Sequence, residues 1–198
     1  MLIGITGYAG SGKDSIANYV SKSTALRVAT HSFYTRMGFA DKIKCNLSDL
    51  YNVHYRFFND RTLKNQPLVA LDGNTPREAA QKYGMACRAI VPDTWTDYVL
   101  RYAKSQGCIH PPRDPDAYHQ HLIIPDVRFH NEHQAILAHG GVLLGVYRPD
   151  HEVHNHESEK CIEELCSKAT HVFQNTSTLE ELYPEVLSWF TTNFKHGA

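Results

Sequence analysis

The sequence predicts an α/β fold in which a parallel β-sheet is flanked by helices. Short apolar segments alternate with amphipathic segments of helical spacing along the 198 residues, which is the pattern of a parallel sheet. A glycine-rich turn joins the first strand to the first helix, and a later apolar strand over residues 121–124 stops just before Asp126. Both features are typical of the ligand-binding edge of an open α/β sheet. A chain of this length is expected to form one domain.

The first half of the chain predicts two strands and four helices. Residues 2–6 are an apolar strand, and the helix after Lys13 has its apolar side chains at helical spacing. Thr75, Pro76 and Glu78 form a helix start with a capping box. The remaining expectations are a second strand over 26–31, a helix over 35–51, an irregular segment over 52–74, a helix from 75 to about 90 and another over 92–106.

The second half predicts three further strands. Residues 107–119 are proline-rich and expected to form a loop, and Gly140-Gly141 ends the helix that begins at Phe129. The expected strands cover 121–124, 142–147 and 171–173, and the expected helices cover 129–139, 161–167 and 179–194. Residues 148–158 are polar and rich in histidine, and they are interpreted as a loop or lid.

Composition excludes several classes of protein. There are 20 Lys and Arg against 21 Asp and Glu, which argues against a general nucleic-acid binder or a polybasic membrane anchor. The first hundred residues carry 12 basic and 8 acidic side chains, and the remainder 8 and 13. Five scattered cysteines fit free thiols, and the apolar runs are too short to span a membrane. A cytoplasmic protein without a membrane partner is expected.

A phosphate-binding loop follows the first strand. Gly7 and Gly12-Lys13 have the Walker A spacing between a strand and a helix. Glycines let backbone N–H groups turn around a polyphosphate, and Lys13 reaches its outer oxygens. Asp14 occupies the position after the lysine, where a serine or threonine usually binds Mg²⁺. A carboxylate there repels a triphosphate unless a cation lies between them, so Asp14 is a candidate metal ligand, with Ser15 as a second.

A second constellation follows the strand over 121–124. Asp126 and Arg128 are two residues apart and are expected to point to the same side of an extended stretch. The carboxylate can organise Mg²⁺ and the guanidinium can bind a phosphate with two hydrogen bonds. Glu132 is either part of this group or a partner of the helix dipole in the first turn.

The motifs together resemble the phage-type deoxynucleoside monophosphate kinases of the P-loop nucleoside monophosphate kinase superfamily. The resemblance covers most of the chain, and the animal-type phosphomevalonate kinases share part of it. Members often carry a basic residue where this chain has Tyr8 and Ala9, which leaves Arg128 or Arg148 to supply that charge. The motifs are residues 10–15 (GSGKDS), 39–44 (FADKIK), 60–64 (DRTLK), 75–78 (TPRE) with Gln81 and Arg88, 92–95 (PDTW), 126–132 (DVRFHNE) and 156–159 (HESE).

The resemblance implies an adenylate-kinase-like three-layer fold and transfer of a phosphoryl group from ATP, bound with Mg²⁺, to a deoxynucleoside monophosphate. It implies a core over 1–34 and 120–198, an acceptor-binding helical region over about 35–106 and a lid over 148–166. Whether the enzyme forms a homodimer is left open, and a phage enzyme would act in the host cytoplasm. The alternatives are a kinase of another small acceptor, such as phosphomevalonate or a hydroxymethyl-pyrimidine nucleotide, and a nucleotide-binding ATPase or switch without an acceptor.

The resemblance also assigns residues. The predicted catalytic residues are Lys13, Asp126 and Arg128, and the predicted metal ligands are Asp14, Ser15 and Asp126. The predicted ATP site comprises Gly7, Ala9, Gly10, Ser11, Gly12, Lys13, Asp14, Ser15 and Arg148. The predicted acceptor site comprises Lys42, Arg61, Arg77, Gln81, Arg88, Trp95, Glu132 and Glu159. Two alternatives remain: Arg77 as a solvated side chain at a helix start, and Trp95 as a core residue.

Overall fold

The computed structural model describes residues 1–109, 114, 117–149 and 161–194. Within these residues five strands form one sheet, in the order β2-β3-β1-β4-β5, and every neighbouring pair is parallel. The strands are β1 (Leu2–Thr6), β2 (Ser32–Arg36), β3 (His119–Ile124), β4 (Val142–Tyr147) and β5 (His171–Gln174). The predicted α/β fold is therefore confirmed.

Helices connect the strands. In the described part of the chain they are α1 (Lys13–Lys22), α2 (Thr24–Ala29), α3 (Phe39–Tyr51), α4 (Arg56–Asn59), α5 (Pro76–Ile90), α6 (Thr94–Ser105), α7 (His130–Ala138), α8 (Ile162–Ser167) and α9 (Leu179–Asn193). Two short 3-10 turns, Leu63–Asn65 and Val69–Leu71, lie between α4 and α5. The capping box predicted at Thr75 is present at the start of α5.

Strand β1 lies at the centre of the sheet and is buried along its whole length, as a central parallel strand should be. Ile3 and Ile5 belong to an apolar cluster that includes Ile16 of α1 and Phe190 of α9. Gly4 faces the other way, where a Cβ would lie 2.7 Å from Ile136 Cδ1 of α7. Helices therefore cover both faces of β1, and the core has three layers.

The largest differences from the sequence prediction lie between residues 24 and 39. The strand expected over 26–31 is wrong: these residues contribute to α2, whose start is capped by the Ser23 hydroxyl accepting from Leu26 N at 3.2 Å. The helix expected from residue 35 begins at Phe39, because β2 extends to Arg36 in register with Ile123. Strand β2 thus begins six residues later than the strand that was expected over 26–31.

The chain divides into two compact units. The sheet unit comprises residues 1–38 and 100–198, and the helical unit comprises residues 39–99. The sheet unit contains all five described strands, and the helical unit contains α3, α4 and α5. The segment expected to be irregular, residues 52–74, lies in the helical unit and contains α4 and the two 3-10 turns.

Among the described residues, no helix has the length and apolar character that crossing a bilayer would require.

Candidate functional site

The carboxyl ends of the strands carry polar residues at one edge of the sheet. The phosphate loop follows β1, Asp126 follows β3, Arg148 follows β4 and Asn175 follows β5. Ligands of open parallel sheets bind at this edge, since the loops there converge and the following helices point their N-termini at it. The sheet unit by itself therefore brings residues predicted to bind ATP to one edge of the sheet.

The phosphate loop requires glycine at its two ends. Gly7 has φ 147°, and a Cβ on it would lie 2.5 Å from the Val146 carbonyl oxygen. Gly12 has φ 107°, and a Cβ there would lie 2.6 Å from Asn175 Nδ2. Both positions combine a backbone conformation that favours glycine with a close approach of other atoms. The Walker A glycines thus have a steric reason in this chain.

Lys13 folds back over the loop. Its Nζ donates to the Tyr8 carbonyl oxygen at 2.6 Å, and the residue is 6% exposed. Ser11 is buried beside it, and its backbone N–H donates to the same Tyr8 carbonyl at 3.2 Å. The ammonium is therefore held inside the turn that would wrap around a polyphosphate.

Asn175 is a residue of this site that the sequence analysis missed. It is 2% exposed, and its Nδ2 donates to the Ser11 carbonyl oxygen at 2.7 Å. Its backbone N–H donates to the Tyr147 carbonyl at 2.8 Å, which holds it at the end of β4. The side chain thus ties the phosphate loop to the neighbouring strands. Its position directly after the last strand was the available signal.

Arg36 is the second missed residue. It ends β2, and its Nη2 donates to Asp14 Oδ1 at 2.7 Å. Asp14 lies in the first turn of α1, so the ion pair joins β2 to the residue after the Walker lysine. The helix expected over 35–51 includes Arg36, whereas the residue ends a strand at the sheet edge.

Asp126 lies two residues beyond β3. A Cβ on Gly38 would lie 2.8 Å from Asp126 Oδ2 and 2.9 Å from Oδ1, so a larger residue there would force this carboxylate to shift. Val127 N donates to the Ile5 carbonyl oxygen at 3.2 Å and anchors the turn to β1. The carboxylate is thereby fixed close to the strand that feeds the phosphate loop.

Glu132 serves the backbone of the turn before α7. It is 1% exposed, and its Oε2 accepts from Arg128 N at 2.7 Å and from Phe129 N at 3.1 Å. This role at a helix start favours the alternative that the sequence left open over a contact between Glu132 and the acceptor. Glu132 orients Arg128, which is half-buried.

The other predicted residues of the sheet unit are placed as follows. Ala9 and Gly10 lie in the phosphate loop, Ser15 is half-buried in the first turn of α1, and Arg148 is exposed directly after β4. Glu159 lies outside the described residues, as does most of the expected lid.

Helix α5 arranges three predicted acceptor residues in the helical unit. Arg77, Gln81 and Arg88 follow at i, i+4 and i+11, which puts them on one stripe of the helix. All three are half-buried. Gly84 lies on the same stripe, and a Cβ on it would lie 2.9 Å from Ile43 Cδ1 of α3. The two helices therefore pack closely along the stripe that carries the arginines.

Trp95 is buried in the helical unit. It is 3% exposed, and its Nε1 donates to the Gly84 carbonyl oxygen at 3.1 Å. The indole thus packs in the interior of the helical unit, which favours the core alternative over base stacking. Lys42 lies over the Tyr98 ring at 5.9 Å, and Arg61 is exposed.

The site fits a magnesium ion only as a partner of bound phosphates. Among the described residues, no group of three or more His, Cys, Asp or Glu side chains is arranged to hold a metal ion. Mg²⁺ commonly needs just one or two carboxylates together with substrate phosphates and water. Asp126 meets that requirement, whereas the carboxylate of Asp14 is engaged by Arg36.

Comparison with known proteins agrees with the motifs. No protein-family model matches the chain. It is 26% identical over 195 residues, 95% of each chain, to a curated protein of Acanthamoeba polyphaga mimivirus named "Putative deoxynucleotide monophosphate kinase". The resemblance to that class of protein is thereby confirmed. Dephospho-CoA kinase from Campylobacter jejuni is structurally similar over 96% of both chains, with 14% identity and a TM-score of 0.46, a level that carries no inference.

Proposed function

We propose that this chain is an ATP-dependent kinase of deoxynucleoside 5′-monophosphates. The observation that carries the proposal is the phosphate loop, in which a buried Lys13 and glycines at both ends form a turn at the carboxyl end of β1. The mimivirus relative bears the name of such a kinase. In a nucleotide-binding switch without an acceptor, Arg77 and Arg88 of α5 would have no phosphate to bind.

The reaction is an in-line transfer. An oxygen of the acceptor phosphate forms a bond to the γ-phosphorus of ATP, and the bond from that phosphorus to the β–γ bridging oxygen breaks. The electron pair of that bond stays with ADP, and the acceptor becomes the diphosphate. The second pKa of a phosphate monoester is near 6, so the attacking oxygen is already ionised at neutral pH. Such a transfer needs positioning and positive charge more than it needs a base.

Different residues of the sheet unit bind different parts of ATP. The loop N–H groups and Lys13 bind the β- and γ-phosphates, Arg128 neutralises charge on the transferred group, and Arg148 binds the nucleotide from the end of β4. Asp126 and Ser15 would hold Mg²⁺, which when bound neutralises phosphate charge, whereas Asp14, the third ligand that the sequence predicted, is paired with Arg36. Glu132 positions Arg128 through its backbone N–H.

The residues of the helical unit bind the acceptor. Arg77 and Arg88 bind its phosphate, because a guanidinium matches two phosphate oxygens in one plane. Gln81 lies between them on the same stripe and has the donor and acceptor atoms to contact a base edge. Lys42, Arg61 and Glu159 complete the proposed acceptor site.

An acceptor panel tests the proposal. ADP release is measured with dAMP, dGMP, dCMP and dTMP, their ribose counterparts and phosphomevalonate, with Lys13→Ala as the inactive control. We expect acceptor-dependent ADP release with at least one deoxynucleotide, lost in Lys13→Ala at an unchanged melting temperature. Arg88→Ala should mainly raise the KM of the acceptor. Release with phosphomevalonate alone, or without any acceptor, contradicts the proposal.

A further inference from the structure

The charge balance around the phosphate loop leaves one carboxylate to be explained. Asp14 follows Lys13 directly, and a negative charge there opposes the binding of a polyphosphate. The cation that the structure places against it is the guanidinium of Arg36, at 2.7 Å. Residues 1–38 contain four basic residues and only this one acidic residue.

The geometry gives Arg36 a position at the nucleotide edge. It is the last residue of β2, and Met37 N donates to the Ile123 carbonyl oxygen at 3.0 Å, which fixes the end of the strand against β3. Two residues later, Gly38 lies against the carboxylate of Asp126. The Arg36 side chain is 27% exposed, whereas that of Asp14 is 71% exposed. A short strand end and an ion pair therefore hold this guanidinium beside the phosphate loop.

We propose that Arg36 binds the β/γ-phosphate end of ATP and that Asp14 is its positioning residue. This inference rests on the proposed function only in taking ATP as the ligand of the loop. A guanidinium carries five N–H donors in one planar fork, so a single arginine can bond a carboxylate and a phosphate oxygen together. The cation needed between the carboxylate and the triphosphate is then supplied by the chain itself. Asp14 acts through Arg36, rather than as the metal ligand that the sequence predicted.

The two roles of Asp14 give different binding patterns. The variants are Arg36→Gln, Asp14→Asn and the double substitution, with Arg27→Gln as the matched control because Arg27 packs over Phe33 on the exposed side of β2. The ATP dissociation constant is measured by calorimetry in EDTA and in Mg²⁺, and the melting temperature of each variant is recorded. Calorimetric binding requires no acceptor and no turnover.

We expect Arg36→Gln to weaken ATP binding by about tenfold or more in both buffers, since a charge-assisted phosphate contact is lost and a carboxylate is uncovered. Adding Asp14→Asn should then restore part of the affinity. Arg27→Gln should bind as the wild type does. If Arg36→Gln binds ATP within twofold of wild type, or if Asp14→Asn weakens binding only in Mg²⁺, the assignment is wrong.

A second variant keeps the test decisive if Arg36→Gln does not fold. Arg36→Lys keeps a positive charge against Asp14 but lacks the planar fork, so we expect a loss of about threefold or more, and wild-type affinity contradicts the proposal. The same measurements distinguish a failure of the proposed kinase activity from a failure of the Arg36 assignment. A wild type that binds ATP through Arg36 yet phosphorylates no deoxynucleotide refutes the acceptor assignment alone, and one that binds no ATP refutes both.

Discussion

Asn175 illustrates how one buried amide can hold a ligand-binding loop. Its Nδ2 donates to the Ser11 carbonyl, and both side chains are almost wholly buried. Removal of the amide leaves a buried carbonyl without a partner, which costs about 1–3 kcal/mol. The lost hydrogen bond is one that holds the loop that would bind the polyphosphate. The geometry of that loop therefore depends on a residue more than 160 positions away.

The first prediction concerns this contact. We expect Asn175→Ala to lower the melting temperature and to weaken ATP binding by about tenfold, because the freed carbonyl allows the loop to rearrange. Calorimetry and thermal unfolding measure the two effects. Gln174→Ala, at the exposed neighbouring position, should change neither. Equal behaviour of the two variants would show that Asn175 does not hold the loop.

His121 is a buried histidine that the mechanism does not use. Its Nε2 lies 3.2 Å from Ser32 Oγ, and its ring packs against Tyr34 and Phe194. Burial lowers the pKa of His121 to about 3, and the Met1 ammonium and His119 add to the shift. The unfolded chain binds a proton near the ordinary value of 6.5. Stability is therefore lost as the pH falls from about 6.5 towards 3.

The second prediction follows from this loss of stability at low pH. Between pH 6 and pH 4 the wild type should lose up to about 1.4 kcal/mol of unfolding free energy per pH unit through this residue. His121→Gln should have a shallower dependence, and His139→Gln, at an exposed position, should follow the wild type. Urea unfolding at several pH values measures this difference. Parallel curves for wild type and His121→Gln would contradict the account.

Helix α5 is the element whose sequence signals and structure agree best. Thr75 Oγ1 accepts from Glu78 N at 3.2 Å, and Glu78 Oε2 accepts from Thr75 N at 2.9 Å. These backbone and side-chain hydrogen bonds lower the pKa of Glu78. The reciprocal bonds begin the helix at Pro76 and so set the register of the stripe that carries Arg77 and Arg88.

The third prediction tests that helix start. Thr75→Ala should destabilise the protein by about 1 kcal/mol, the usual cost of losing an N-cap, and should raise the KM of the acceptor modestly. Urea unfolding and steady-state kinetics measure the two effects. Thr62→Ala, at an exposed position of the helical unit, serves as the control. An unchanged stability in Thr75→Ala would mean that the capping box does not define the start of α5.

The elements that were predictable carry local signals, and those that were not depend on tertiary contacts. The strand before the phosphate loop and the capped α5 combine apolar spacing with glycine, proline or a cap, so the sequence placed them correctly. Strand β2 lies at the edge of the sheet and its polar sequence has no such pattern. Its position depends on pairing with β3, and Arg36 was therefore missed with it.

The residues of the candidate site likewise fall into those with a local sequence signal and those that depend on tertiary contacts. Lys13 and the loop glycines belong to a contiguous motif, which the sequence reveals. Asn175 and the Asp14–Arg36 pair arise from strand ends that are distant in sequence, and only the sheet order brings them to the loop. The burial of Trp95 likewise depends on the packing of α5 against α6 and not on its motif.

At the scale of the whole molecule, near-neutrality conceals an uneven charge distribution. The net charge is −1, but residues 1–38 hold four basic side chains against one acidic, whereas the helical unit holds eight against seven. The positive excess thus lies in residues 1–38, which include the phosphate loop, whereas the helical unit is nearly balanced and residues 100–198 hold 8 basic against 13 acidic side chains. This distribution suits a small phosphorylated ligand at a defined edge better than an extended polyanion.

The central claim is that a phosphoryl group passes from ATP to a deoxynucleotide. Incubation with ATP labelled at the γ-phosphate and the deoxynucleotide favoured in the acceptor panel follows the group directly. We expect the label to appear in the deoxynucleoside diphosphate, one label for each ADP formed, and Lys13→Ala to transfer none. Label recovered as inorganic phosphate, with the deoxynucleotide unchanged, would contradict this claim.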